Sequence, residues 1–105
     1  MKVKVPKEIK IGAHTYNIML RPNLMLDEKD DARANHRLGF IAIDPIWERT
    51  QRDECCLHEI VEVINRVWNC QLDHDNMDRL AEGFLVFLQE LGIVLDWAEI
   101  ENTKG

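Results

Sequence analysis

The strongest constraint on the fold of this chain lies in residues 51–69. Cys56, Leu57, Ile60, Val61, Val63, Ile64, Val67 and Trp68 recur at intervals that set them on one stripe at ~100° per residue. The spacing predicts an amphipathic helix that must bury that stripe. Thr50 is placed to cap it, with Asp53 and Glu54 in the first turn, where the helix dipole favours acid. A second stripe follows: Met77, Leu80, Ala81, Phe84, Leu85, Phe87, Leu88 and Leu91. Asp75 or Asn76 can cap this second helix, and Gly92 supplies its stop. Gly83 inside it costs about 1 kcal/mol relative to Ala, so close approach of another element is expected there.

The N-terminal part has a different period. Val3 and Val5 alternate with lysines before Pro6. Ile9 and Ile11 lead to Gly12-Ala13, and Tyr16, Ile18 and Leu20 alternate beyond it. Two alternating runs around a glycine predict a hairpin. Residues 23–37, with the acidic run 27–31, read as a solvated loop. Residues 38–44, LGFIAID, read as a third strand, and Asp44-Pro45 as a turn. The fold class is therefore α+β: a small antiparallel sheet, made of the hairpin plus one strand, packed on two antiparallel helices. The 105 residues suit one domain. It divides into a β-rich part (1–44), a helical pair (45–92) and a tail (93–105) that reads as either a short extended segment or a helical turn.

Several functions are excluded by charge and hydropathy. A net charge of −6 argues against nucleic-acid partners, which need clustered Lys and Arg. The longest apolar run, near residues 84–88, is far short of the ~18–20 residues of a membrane span. The start, MKVKVPKEIK, lacks the apolar core of a signal peptide. Three cysteines, two of them adjacent, fit reduced thiols in a cytoplasmic protein better than a disulfide framework.

The chemistry is concentrated in Leu57-His58-Glu59-Ile60-Val61-Glu62. Residues four apart share a helix face, so His58 and Glu62 can converge on one ion. The helical projection sets them together beyond one edge of the apolar stripe, with Glu59 further round on the polar side. The pattern differs from the zinc-binding His-Glu-x-x-His by having Glu62 in the second histidine position. Carboxylate oxygen is an accepted zinc ligand, but a third ligand must come from elsewhere. Helix rise favours Glu82 if the connection is tight. Ligand chemistry favours His74, because two carboxylates with one histidine make a harder site than zinc usually occupies. His74 is preferred, with Glu82 as the alternative. The competing reading is a polar helix edge with ordinary ion pairs.

The other reactive residues read as structural. His14 and His36 look like turn residues. Cys56 lies on the apolar stripe, where a thiol packs as a small hydrophobe; a thiol-based enzyme would rest on Cys55 alone. Trp47, Trp68 and Trp97 read as core or core-edge residues, with Trp47 the one nearest a cleft.

The order of these elements resembles the small zincin-like metallopeptidase-related proteins of bacteriophages and prophages. The matching residues are Ile41-Ala42-Ile43-Asp44, the stretch from His58 to Glu62 with Val63-Ile64-Asn65 after it, the hairpin at 9–18 and the stretch around His74. The resemblance covers roughly residues 8–92. It implies a minimal zincin-like domain in which His58 and Glu62 hold zinc with His74 or Glu82, and Glu59 is the general base. It also implies that the GFIAID strand is an edge strand beside the cleft, able to pair with an extended peptide. The expected function is a zinc-dependent hydrolase, a phage-related metallopeptidase acting on a protein or peptide in the cytoplasm of a bacterial or phage-infected cell. The alternative is a catalytically degenerate zincin-like binding or regulatory module. Either a monomer or a dimer is compatible with the sequence.

Overall fold

A computed structural model of the chain describes residues 1–22, 32–46 and 49–102. The elements are β1 (Lys2–Lys4), β2 (Glu8–Ile11), β3 (His14–Leu20), β4 (Ala32–Asn35), β5 (Phe40–Ile43), α1 (Arg49–Val67), α2 (His74–Glu90), β6 (Val94–Asp96) and α3 (Ala98–Glu101). The architecture is α+β, with two long helices packed together, as the two periods require.

Four strands form one sheet in the order β2-β3-β5-β4. The β2–β3 hairpin is antiparallel around Gly12, as expected. The sheet is mixed rather than antiparallel throughout, because β5 runs parallel to β3, with Ile18 beside Ile41. On its other side β5 pairs antiparallel with β4, with Ala34 beside Ile41. The GFIAID strand is thus central, not an edge. Ile41, Ala42 and Ile43 have no exposed surface, which is the environment of a strand covered on both faces. The edge on that side is β4, a strand within the segment read as a loop. Its sequence, ARAN, offers two alanines and no bulky alternation, so it carries almost no period-two signal. Gly39 closes the β4–β5 turn at φ +71°, and a Cβ there would meet the Thr15 carbonyl oxygen at 2.8 Å. Only glycine fits that approach.

The core lies between this sheet and α1. Ile11, Tyr16, Ile18, Ile41 and Ile43 pack with Cys55, Cys56 and Val63. The tail closes one end as both expected forms in succession, a strand and then a helical turn. β6 pairs parallel with β1 in a separate two-stranded sheet. Trp97 and Ile100 enter the core. Trp97 Nε1 donates to Asp53 Oδ1 at 2.7 Å, and Arg52 donates to Glu101 at 3.1 Å. Asp53 is therefore a tail anchor. The helix begins at Arg49, which puts Thr50 inside its first turn instead of at the cap.

α2 covers a second face of α1. Val61 packs with Met77 and Ala81, flanked by Leu57 and Leu72. Asn65 Oδ1 accepts from Leu72 N at 2.9 Å, while Asp78 meets His58. Partner numbers fall along α1 as they rise along α2, as in an antiparallel pair. Asp73 caps α2 by accepting from Asn76 N at 2.8 Å, two residues before Asp75 and three before Asn76, the caps expected. Gly92, at φ +76°, follows its last turn, where a glycine stop belongs. The run at 27–31 and Trp47 lie outside the described residues. Among the described residues, no helix is long and apolar enough to cross a membrane.

Candidate metal centre

The site follows from how α1 is buried. Cys56, Ile60, Val63 and Val67 face the sheet, whereas Leu57 and Val61 face α2. At ~100° per residue the arc between those faces carries Glu59, Cys55, Glu62 and His58 in turn. That arc opens into a cleft of about 620 Å³ between β4 and the start of α2. Ala32, Arg33 and Ala34 form one wall, and His74 and Asp78 the other.

Glu59 is only 5% exposed, so its expected place on the polar side is corrected. A single apolar stripe would leave it in water. A helix that buries two faces instead puts it next to the sheet-facing residues, at the base of the cleft.

His58 is the centre of the cluster. Its Nε2 lies 3.7 Å from Glu62 Oε2, and its Nδ1 lies 2.7 Å from Asp78 Oδ1. His74 Nδ1 is 3.3 Å from the other Asp78 oxygen, and the two imidazole centroids are 5.1 Å apart. Two sets of side chains bring possible ligand atoms within 4.8 Å of one another: His58, His74 and Asp78, and His58, Glu59 and Glu62. Glu82 belongs to neither set and is exposed. His74 comes to His58 from the first turn of α2, through the 68–73 connection that Asn65 holds.

The distances separate two kinds of contact. Bonds of ~2.0–2.1 Å at a tetrahedral zinc set two ligand atoms roughly 3.4 Å apart. The 3.7 Å gap between His58 Nε2 and Glu62 is close to that spacing. The 2.7 Å contact to Asp78 is too short for two ligands of one ion, and is the length of a charge-assisted hydrogen bond. The donor set thus fits zinc on the Nε2 side, with Asp78 holding the ring from the Nδ1 side. Asp78 is the residue that sequence reasoning did not assign. Its i+4 spacing from His74 was a usable signal.

His36 lies in the β4–β5 turn, as expected, but it is not a free surface residue. It is half-buried, its Nδ1 lies 3.2 Å from the Tyr16 hydroxyl, and burial pulls its pKa down, with Arg66 adding to this and Glu62 opposing it. The thiols are poorly suited to nucleophilic work. Burial, then the charges of Asp53, Cys55 and Glu59, push Cys56 up to about 12. Cys55 is buried at the cleft wall and Cys70 is exposed away from it. Trp97 is core as expected, whereas Trp68 is 58% exposed.

The chain was compared with protein-family models, curated proteins and solved structures, and it matches none of them.

Proposed function

We propose that this protein is a zinc-dependent hydrolase of the zincin-like, phage-related metallopeptidase kind, acting on a protein or peptide. The observation that carries this reading is one open cleft lined by His58, Glu59, Glu62 and His74, in which His58 shares one cluster with Glu59 and Glu62 and a second with His74 and Asp78. His58 Nε2 and Glu62 would hold the ion, and His74, which meets Asp78 on the Nδ1 side of the His58 ring, would have to turn from Asp78 to complete the set. Zinc bound there supplies Lewis acidity, drawing the pKa of water towards ~7 and polarising a carbonyl.

The chain's own residues account for the rest. Asp78 accepts from His58 Nδ1–H, which fixes the tautomer that leaves Nε2 free to ligate. Glu59 takes a proton from the attacking water and returns it to the leaving amine. Its burial, at 5% exposure, keeps most of that carboxylate out of bulk solvent. Among the described residues β4 ends the sheet beside the cleft, where an extended peptide could add as a further strand. The resemblance to phage-encoded proteins supports a cytoplasmic setting in a bacterial or infected cell.

The test is metal analysis paired with a Glu59→Gln variant. About one zinc per chain is expected in both forms, with hydrolysis of a peptide library reduced ~100-fold or more in the variant. A protein that ignores added zinc, or a variant that keeps its activity, overturns the reading.

One observation favours the degenerate-module alternative. Asp78 already ties His58 and His74 through its two oxygens, a network that is closed without a cation. On that reading zinc leaves the melting temperature unchanged. On the hydrolase reading it raises it, because a ligand that binds only the folded state stabilises it.

A further inference from the structure

The second helix carries an apolar face that the described residues leave exposed. Met77 and Ala81 are its buried residues. Leu80, Phe84, Phe87 and Leu91 are 41%, 52%, 59% and 55% exposed. Their spacing of four, three and four is that of a seam between helices. At ~100° per residue they fall on one side of Met77 and Ala81, and Asp78 falls on the other. The apolar seam and the metal cleft thus occupy opposite flanks of α2.

Gly83 borders this seam, three residues after Leu80 and four before Phe87. A Cβ added to it meets nothing within 4 Å. The close approach expected at this glycine is therefore absent within the described chain. A glycine in the middle of a helix is costly, and nothing described here accounts for it.

We propose that the occupant is a second copy of this chain, packed antiparallel along α2 about a two-fold axis between Gly83 and Phe84. This register sets Leu80 of each copy opposite Phe87 of the other. On one flank of the axis Phe84 of each copy meets Phe84 of the other, and on the other flank the two Gly83 residues let the helix backbones approach. Arg79 comes within one turn of Glu90 of the second copy. A parallel arrangement would instead oppose Arg79 to Arg79 and Glu90 to Glu90.

The area suits this occupant. The four side chains leave roughly 400 Å² of apolar surface open on each copy, counting a whole aromatic as ~150–250 Å². Two copies bury about 800 Å², close to the apolar share of a standard interface of ~1,600 Å². The isologous contact is self-complementary and closed, so it produces dimers and no filaments. This inference is independent of the metal reading, because the cleft stays open on the far flank.

The experiment is light scattering coupled to size exclusion on the full chain, at concentrations from about 5 to 200 μM. The expected mass is twice the 12.3 kDa of one chain. Phe87→Glu and Gly83→Leu are each expected to yield monomers with an unchanged circular dichroism spectrum, since Gly83 faces open space in the single chain. Arg79→Glu is expected to weaken the dimer, and adding Glu90→Arg to restore it. A monomer at every concentration overturns the proposal. So does a dimer whose mass survives both Phe87→Glu and Gly83→Leu, or a monomer in which Phe87→Glu lowers the melting temperature because the chain covers its own seam.

Discussion

The two long helices have similar apolar stripes and opposite fates. α1 is buried along two faces, with Val63 fully enclosed, and the arc left between those faces became a cleft. α2 buries Met77 and Ala81 and presents Phe84 and Phe87 to solvent. A stripe records which side of a helix avoids water. It does not record how many neighbours the fold can supply. The described residues offer one four-stranded sheet to cover a helix, and α1 packs on it.

The comparison is broken most sharply by truncation of side chains. Ile43→Ala, beneath α1, is expected to cost about 3–4 kcal/mol, from lost transfer energy plus an unfilled cavity. Phe87→Ala, on the exposed seam of α2, is expected to change monomer stability by less than about 0.5 kcal/mol. Urea unfolding under dilute conditions measures both, and equal losses would show that the α2 seam is covered in the monomer.

The cleft side of α2 gives the next effect. Asp78→Asn is expected to lower zinc affinity by about 10–100-fold, the usual cost of losing an orienting carboxylate. Glu82→Ala, on the same helix but outside the cluster, is expected to leave affinity unchanged. A competition titration with a chromophoric chelator measures both. A large loss in Glu82→Ala with none in Asp78→Asn would reverse the roles given to the two carboxylates.

The smallest effect concerns the end of α1 nearest the tail. Burial holds Asp53 above its ordinary 3.8, opposed by the Trp97 hydrogen bond and by Arg52. The folded state therefore keeps a proton that the unfolded state releases, and stability falls as pH rises from 3.8 through the folded value. Asp53→Asn retains an oxygen for Trp97 Nε1 and removes that dependence. Its melting temperature is expected to exceed wild type by a few degrees at pH 7 and to match it near pH 3. Thermal melts across that range check the sign.

Much of this was legible along the chain. The α+β class, the Gly12 hairpin, both helices and the convergence of His58 with Glu62 follow from periods of two and 3.6 and from an i+4 spacing. The strand β4 was not legible, because Ala32 and Ala34 offer no bulky alternation and owe their pairing to β5. Nor was the central position of β5, since its apolar run is compatible with any covered strand. Glu59 was misplaced because the projection assumed one buried face. Asp78 was passed over because its partner, His58, is twenty residues away along the chain.

The sequence by itself determined which residues are apolar, which repeat with which period, and that His58 and Glu62 share a helix face. These are local consequences of backbone geometry. Only the tertiary structure decided that Glu59 is buried, that His74 and Asp78 meet His58 while Glu82 stays away, and that the seam of α2 is left open. Those outcomes depend on the path of a short connection and on the second face of α1. Both are set by which distant segments compete for the same limited surface.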